Sequence, residues 1–502
     1  MRESIIICIF AKTIIAFWCG SCNLIIAFWC DLSVSIIAFW CANNNVISEI
    51  LIIMKRKIYD RLLKWKNESK GETALLIDGA RRVGKSYIAK EFAEKEYRSH
   101  IFIDFNVASN DFKALFEHYL ADLDTFFMYL SSYTGVKLYE RDTLIVFDEV
   151  QQYPRARAAI KYLVQDGRYD YLETGSLVSI KKNVENIVIP SEEEHIKMYP
   201  MDFEEFLWAL GNDQLMPFVQ DCFNGRRPMG QLMHRKAMDY FRQYMIVGGM
   251  PQAVEKYVQT KDFEKVDKAK RMILELYRND IGKYAKGYDT KVKSIFEEIP
   301  SQLQRHEKKF KLSALREGAR ARDYETAFFW LDDAMIMNTC YNTTAPCIGL
   351  NLNKDTNAIK CYMADTGLLI SHAFNERDIV SDDIYRKIML DKLEFNGGMV
   401  IENIVAQMLK AAGHSLYFFS QSPTEESPKM EIDFLISDKK ITSRHNISPI
   451  EVKSSARYTL TSLRKCVDKY NQYLSTPYVV HPADYKEADG ITYLPLYMCP
   501  LL

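Results

Sequence analysis

The sequence predicts an α/β protein whose first globular part is a parallel sheet with helices on both faces. Three observations predict it. Short unbroken apolar runs, such as 74–77 and 144–147, alternate with helical stretches, as expected of strands buried on both sides. The first run leads into Gly79-Ala80-Arg81-Arg82-Val83-Gly84-Lys85-Ser86, which fits the phosphate-binding spacing G-x-x-x-x-G-K-[ST]. A later run ends in the acidic pair Asp148-Glu149.

The bulk composition narrows the class. A chain of 502 residues exceeds one ordinary core, so two or three domains are expected. Lys+Arg 65 against Asp+Glu 66 leaves a net charge of -1, which excludes polyanion binding by bulk charge and confines any nucleic-acid surface to a local patch. Six of the 11 cysteines lie beyond residue 41 with no C-x-x-C pair among them. This pattern predicts reduced thiols in a cytoplasmic protein, with neither zinc nor a disulfide frame.

Residues 1–53 are unusual. Ile-Ile-Ala-Phe-Trp-Cys occurs at 14–19, 25–30 and 36–41, with unrelated spacers between. Polar residues Asn23, Asp31 and Asn43 interrupt any apolar run long enough to span a bilayer, so no membrane association is expected. The expectation is a mis-translated direct repeat or a disordered segment, with Met54 as a natural start.

The core elements follow in order. A strand at 74–78 feeds the loop, and a helix over 87–97 follows with Ile88, Phe92 and Ala93 at core spacing. Further strands are predicted at 100–105, 144–147 and 169–172, the last followed by Thr174-Gly175-Ser176. Ligands of such sheets bind at the carboxyl ends of the strands, where all three motifs fall. Residues Gly79 through Ser86 and Tyr87 are therefore the candidate ATP cradle. Lys85 neutralises phosphate, Ser86 and Asp148 hold Mg²⁺, and Glu149 is the candidate base for the attacking water. Thr174 and Ser176 are candidate sensors of the γ-phosphate or that water. Arg81, Arg82, Arg155, Arg157 and Arg168 include candidate charge stabilisers.

From 200 to 335 the pattern is helical. Asp202 stands as an N-cap before Phe203-Glu204-Glu205, and Gly248-Gly249-Met250-Pro251 breaks one helix and begins another. Residues 255–323 hold 18 Lys+Arg against 12 Asp+Glu, an excess clustered at Lys308, Lys309, Lys311, Arg316, Arg320 and Arg322. Two readings fit: a winged-helix segment with a helix over 312–322 on DNA phosphates, or a solvated face beside the nucleotide domain.

Three elements toward the end have the make-up of a metal-assisted phosphodiesterase. Glu402 lies on a predicted helix, Asp433 in a strand at 430–436, and Glu451 and Lys453 two apart on the next strand. Asp433 and Glu451 would hold Mg²⁺, with Lys453 positioning water and Glu402 completing the site. The alternative is an ion pair between Glu451 and Lys453.

This pattern resembles the PD-(D/E)-x-K nucleases, although Ile432 stands where the motif's proline would be. The segments LLIDGARRVGKS, LIVFDEVQQYP, YLETGS, YPMDFEEFL, VGGMPQAV, YRNDIGKYAK and CYMADTGLL resemble a group of prokaryotic AAA-family ATPases. Members of that group carry a C-terminal domain with a restriction-endonuclease-like core. The resemblance implies a P-loop NTPase core at 54–199, a helical lid or winged-helix middle at 200–335, and an α/β restriction-endonuclease-like domain at 336–502. ATP and Mg²⁺ are the expected cofactors. DNA is an expected partner through the middle and C-terminal domains, and a homo-oligomer is compatible with a shared arginine. A nucleotide-gated switch with an inactive tail is the competing reading.

Overall fold

The computed structural model describes residues 54–175, 191–305, 309–347, 349–374, 385, 397–421, 429–437, 445–455 and 457–502. It also gives the backbone of four N-terminal strands, β1 (Ser4–Ile9), β2 (Lys12–Cys19), β3 (Leu24–Asp31) and β4 (Val34–Cys41). These form an antiparallel sheet that places the repeats against one another, Ala16 opposite Ala27 and Ala27 opposite Ala38.

Helix α1 (Ile58–Ser69) leads into a five-stranded sheet. Its strands are β5 (Ala74–Gly79), β6 (Ser99–Asp104), β7 (Thr143–Asp148), β8 (Asp170–Gly175) and β9 (Glu193–Met198). They lie in the order β6-β7-β8-β5-β9, and every pairing is parallel. Every residue of β5, β7 and β8 is buried, which is why β5 and β7 carry unbroken apolar runs, whereas β8 buries Asp170 and Glu173 as well. One face of the sheet packs on α1 and α2 (Lys85–Glu96) through Leu62, Trp65, Ile88 and Phe92. The other packs on α3 (Asn110–His118), α4 (Leu123–Thr134) and α5 (Pro154–Asp166). Strand order reverses around β5, so a crevice opens at its carboxyl end.

The middle segment is helical: α6 (Phe203–Ala209), α7 (Leu215–Asn224), α8 (Gln231–Val247), α9 (Pro251–Thr260), α10 (Phe263–Tyr284), α11 (Asp289–Gln304) and α12 (Ala321–Asp333). Asp202 caps α6 in a full capping box with Glu205. Only glycine fits at 249, because a Cβ there would lie 2.1 Å from the Met201 carbonyl oxygen. The helix expected over 312–322 does not form. A single 3₁₀ turn at Leu312–Ala314 gives way to Gly318 at φ 74, and helical structure resumes only at Ala321. Arg316, Arg320 and Arg322 are therefore exposed on a loop and at the start of α12.

The C-terminal part is an eight-stranded mixed sheet. It comprises β10 (Met337–Thr343), β11 (Lys354–Met363), β12 (Tyr417–Gln421), β13 (Met430–Ser437), β14 (Ile447–Val452), β15 (Tyr478–His481), β16 (Lys486–Ala488) and β17 (Ile491–Pro495). Their order is β11-β10-β12-β13-β14-β15-β17-β16. Helices α13 (Thr366–Ala373), α14 (Gly397–Ala411) and α15 (Thr461–Tyr470) accompany it. Asp365 caps α13 through the Leu368 amide at 2.8 Å and accepts from the Gly249 amide at 2.6 Å, joining the C-terminal part to the glycine break before α9. Cys361 and Cys466 are buried thiols, whereas Cys347 is half-buried. No helix among the described residues is long and apolar enough to cross a membrane.

Candidate functional site

The carboxyl ends of the parallel strands open on one cleft of about 840 Å³, lined by Asp104 at the end of β6, Asp148 at the end of β7 and Met198 at the end of β9. Arg81, Arg82, Gly84, Lys85, Ser86, Tyr87, Asp148 and Glu149 line it. Met54, Met198 and Pro251 add apolar wall. The loop turns at Gly84, whose φ of 103 is a conformation side-chain-bearing residues rarely adopt. Gly79 passes so close to β9 that a Cβ would lie 2.5 Å from the Met198 carbonyl oxygen.

Lys85, almost fully buried, donates from Nζ to the carbonyls of Gly79 at 2.8 Å and Ala80 at 3.1 Å. Burial pulls its ammonium below the ordinary lysine range, and the carboxylates of Glu149, Asp78 and Asp148 oppose that pull. Ser86 donates to Asp148 Oδ1 at 2.7 Å, and the Thr174 hydroxyl donates to the same oxygen. Thr174 also accepts from the Glu149 amide at 3.3 Å. Glu149 has a left-handed backbone, φ 54, and Gln151 Nε2 donates to its carboxylate.

The hydroxyl of Ser86 beside the carboxylate of Asp148 is a hard-oxygen pair suited to Mg²⁺, which takes few protein ligands and completes its shell with water and phosphate. The expected residues Lys85, Ser86, Asp148 and Glu149 thus line one cleft, and Thr174 is buried behind it against Asp148. Ser176 lies outside the described residues.

The arginines divide. Arg155 donates to the carbonyls of Phe116 and Glu117, Arg157 clasps Glu193, and Arg168 pairs with Asp166 and Asp124. These three are committed to structural contacts. Arg81 instead pairs with Asp280 of α10, and Tyr277 donates to the Arg81 carbonyl oxygen. Gln152 donates to Tyr284 at 3.2 Å. Sequence reading overlooked Asp280, Tyr277 and Tyr284 as site neighbours, since only helical periodicity marks them locally. Arg56 was overlooked too. Buried, it donates to the carbonyls of Val83 and Tyr199 and pairs with Glu205.

In the C-terminal sheet Glu402 lies on α14, Asp433 on β13, Glu451 on β14 and Lys453 just beyond it. Asp433 Oδ2 accepts from the Val452 amide at 2.9 Å, and Lys453 Nζ donates to Glu451 at 2.6 Å. Burial, then the charge of Asp433, pushes the Glu451 carboxyl up to about 8. Glu402 is engaged by Tyr362, whose hydroxyl donates at 2.5 Å, and by Lys360 Nζ at 3.4 Å. Among the described residues no group of three His, Cys, Asp or Glu side chains is arranged to hold a metal ion.

Residues 71–207 match the family model of an AAA domain. This segment is a P-loop AAA domain. Residues 238–378 match a domain of unknown function (DUF8612) and 397–499 another (DUF4143). No curated protein matches the sequence.

Solved structures similar to the chain include the Aeropyrum pernix Orc1 protein in complex with DNA. It is 11% identical over 64% of this chain and 93% of that one, with a TM-score of 0.27. The replication initiator DnaA bound to AMPPCP and single-stranded DNA is 11% identical over 56% and 89%, TM-score 0.24. Cdc6p from Pyrobaculum aerophilum is 12% identical over 68% and 97%, TM-score 0.23. Likeness at this level assigns no partner to this chain, and the AAA domain rests on the sequence match and the parallel sheet.

Proposed function

We propose that this protein is a Mg²⁺-dependent ATPase whose AAA domain controls its C-terminal module. The carrying observation is the convergence of Lys85, Ser86, Asp148 and Glu149 in one cleft at the strand ends, with Thr174 buried behind them and bonded to Asp148 and the Glu149 amide. Lys85 exchanges its two loop carbonyls for phosphate oxygens, which an ammonium satisfies better. Ser86 and Asp148 would hold Mg²⁺, which would supply neutralisation of phosphate charge when bound. Glu149 takes the proton of the attacking water, and Thr174 keeps its backbone beside Asp148.

Control of the C-terminal module is supported by α10. Its last turns meet the phosphate loop at Arg81 and Tyr277. About 20 Å away along the helix axis, Asp267 accepts from Ser371 and Tyr385, both at 2.6 Å, and Lys270 donates to the Ile246 carbonyl. A shift at the loop is thereby passed to α13. The exposed Arg316, Arg320 and Arg322 are the proposed DNA-facing patch. A second reading, a nucleotide-gated switch with a non-cleaving tail that binds a protein, is favoured by the ion pairs around Lys360.

Phosphate release from ATP by the full chain, beside Lys85→Ala, tests the proposal. Turnover lost in the variant is expected; equal turnover would refute the site. Binding to labelled duplex DNA across a salt series tests the patch, and retention unchanged by salt would refute an electrostatic contact.

A further inference from the structure

The centre of the C-terminal carboxylate cluster is occupied by a side chain. Lys360 of β11 is fully buried, and its Nζ lies 3.4 Å from Glu402, 3.4 Å from Glu431 and 3.8 Å from Asp433. The ammonium also stands 4.9 Å from the centroid of the Phe418 ring. Three carboxylates from α14 and β13 thus surround one cation supplied by β11. That strand belongs to the 238–378 segment, whereas its partners belong to the 397–499 segment.

We infer that the Lys360 ammonium is the resident cation of this centre, so that the C-terminal domain takes no divalent metal there and cleaves no phosphodiester by metal assistance. The geometry argues it. A buried carboxylate such as Glu402 must be neutralised by a partner or by a metal, and the half-buried Glu431 and Asp433 share its cation. Here the neutralising charge is built into the chain, and Glu402 is further held by the Tyr362 hydroxyl. A Mg²⁺ ion drawing on Asp433 and Glu451, the expected pair, would need carboxylates already taken by the Lys360 ammonium at 3.8 Å and the Lys453 ammonium at 2.6 Å, and like charges at that range repel strongly in a buried site. Within the C-terminal part the same ion pairs fasten β11 to α14 and β13. The inference stands apart from the ATPase reading, which rests on other residues.

The test uses the full chain without nucleotide. Thermal unfolding is followed with and without millimolar Mn²⁺ for the wild type, Asp433→Asn, Lys360→Met and the double variant. The wild type should show no Mn²⁺-dependent rise in Tm that Asp433→Asn removes. Lys360→Met should unfold at lower temperature and recover with Mn²⁺, the metal replacing the lost ammonium, and the recovery should vanish in the double variant. A wild-type Mn²⁺ stabilisation abolished by Asp433→Asn would overturn the inference. So would Mg²⁺-dependent plasmid nicking lost in that variant. Both contrary results are read without Lys360→Met, so poor folding of that variant leaves the inference open to refutation.

Discussion

Arg81 of the phosphate-binding loop is tied to Asp280 of α10, with Nη1 and Oδ1 2.5 Å apart, across 199 residues of sequence. The contact sets a loop that must receive polyphosphate against a carboxylate that repels it. Asp280 is itself pushed above the usual carboxylate range by burial, partly offset by Arg81.

Replacing Asp280 by Asn should therefore tighten ATP. Loss of one repulsive charge and release of Arg81 correspond to about 1 kcal/mol, or roughly a fivefold lower Kd. Calorimetric titration with ATP and Mg²⁺ measures it. Weaker binding by Asp280→Asn would mean that the carboxylate supports the nucleotide-binding geometry instead.

Lys360→Met should destabilise the protein by about 3–5 kcal/mol, the usual effect of stripping one partner from a buried ion cluster. Denaturant unfolding with an unchanged m-value is the check, and a change under about 1 kcal/mol would show the carboxylates to be neutralised by other means.

His481 makes a pH prediction. Burial pulls its imidazole down to about 4, and Tyr458 bonds Nδ1 at 3.0 Å. Between pH 6.5 and 4 the unfolded chain then binds a proton that the folded chain refuses, so stability falls as pH falls through that window and is flat above it. The loss attributable to this group is about 3 kcal/mol. His481→Phe should flatten the acid limb of stability against pH relative to wild type. Parallel curves for the two proteins would contradict it.

Much of the AAA domain was legible because parallel strands covered on both faces must be apolar throughout. The runs at 74–77 and 144–147 could hardly be surface. The cap at Asp202 was legible because the capping box is local. What stayed hidden depends on residues far apart in the chain. Lys360 sits in an unremarkable strand, KDTNAIKCYM, and its meaning comes from residues 402, 431 and 433. Asp280 likewise reads as one acid on a mixed helix until α10 folds over the loop. The helix expected at 312–322 failed for a local reason that basic clustering concealed, the positive-φ turn at Gly318.

Thr174→Val removes a hydroxyl that donates to Asp148 and accepts from the Glu149 amide. The expected result is ATP binding close to wild type with kcat reduced about tenfold, since the two acids lose their shared positioning contact. Steady-state phosphate release beside nucleotide titration separates kcat from affinity, and an unchanged kcat would remove Thr174 from the site.

Glu149→Gln decides whether Glu149 is the base of an ATP-hydrolysing site. With labelled ATP and Mg²⁺ the variant should bind nucleotide as the wild type does. Its single-turnover hydrolysis should be slower by about 10²–10⁴-fold, the range of a lost general base. Hydrolysis at the wild-type rate in a variant that still binds ATP would show that Glu149 is not the base.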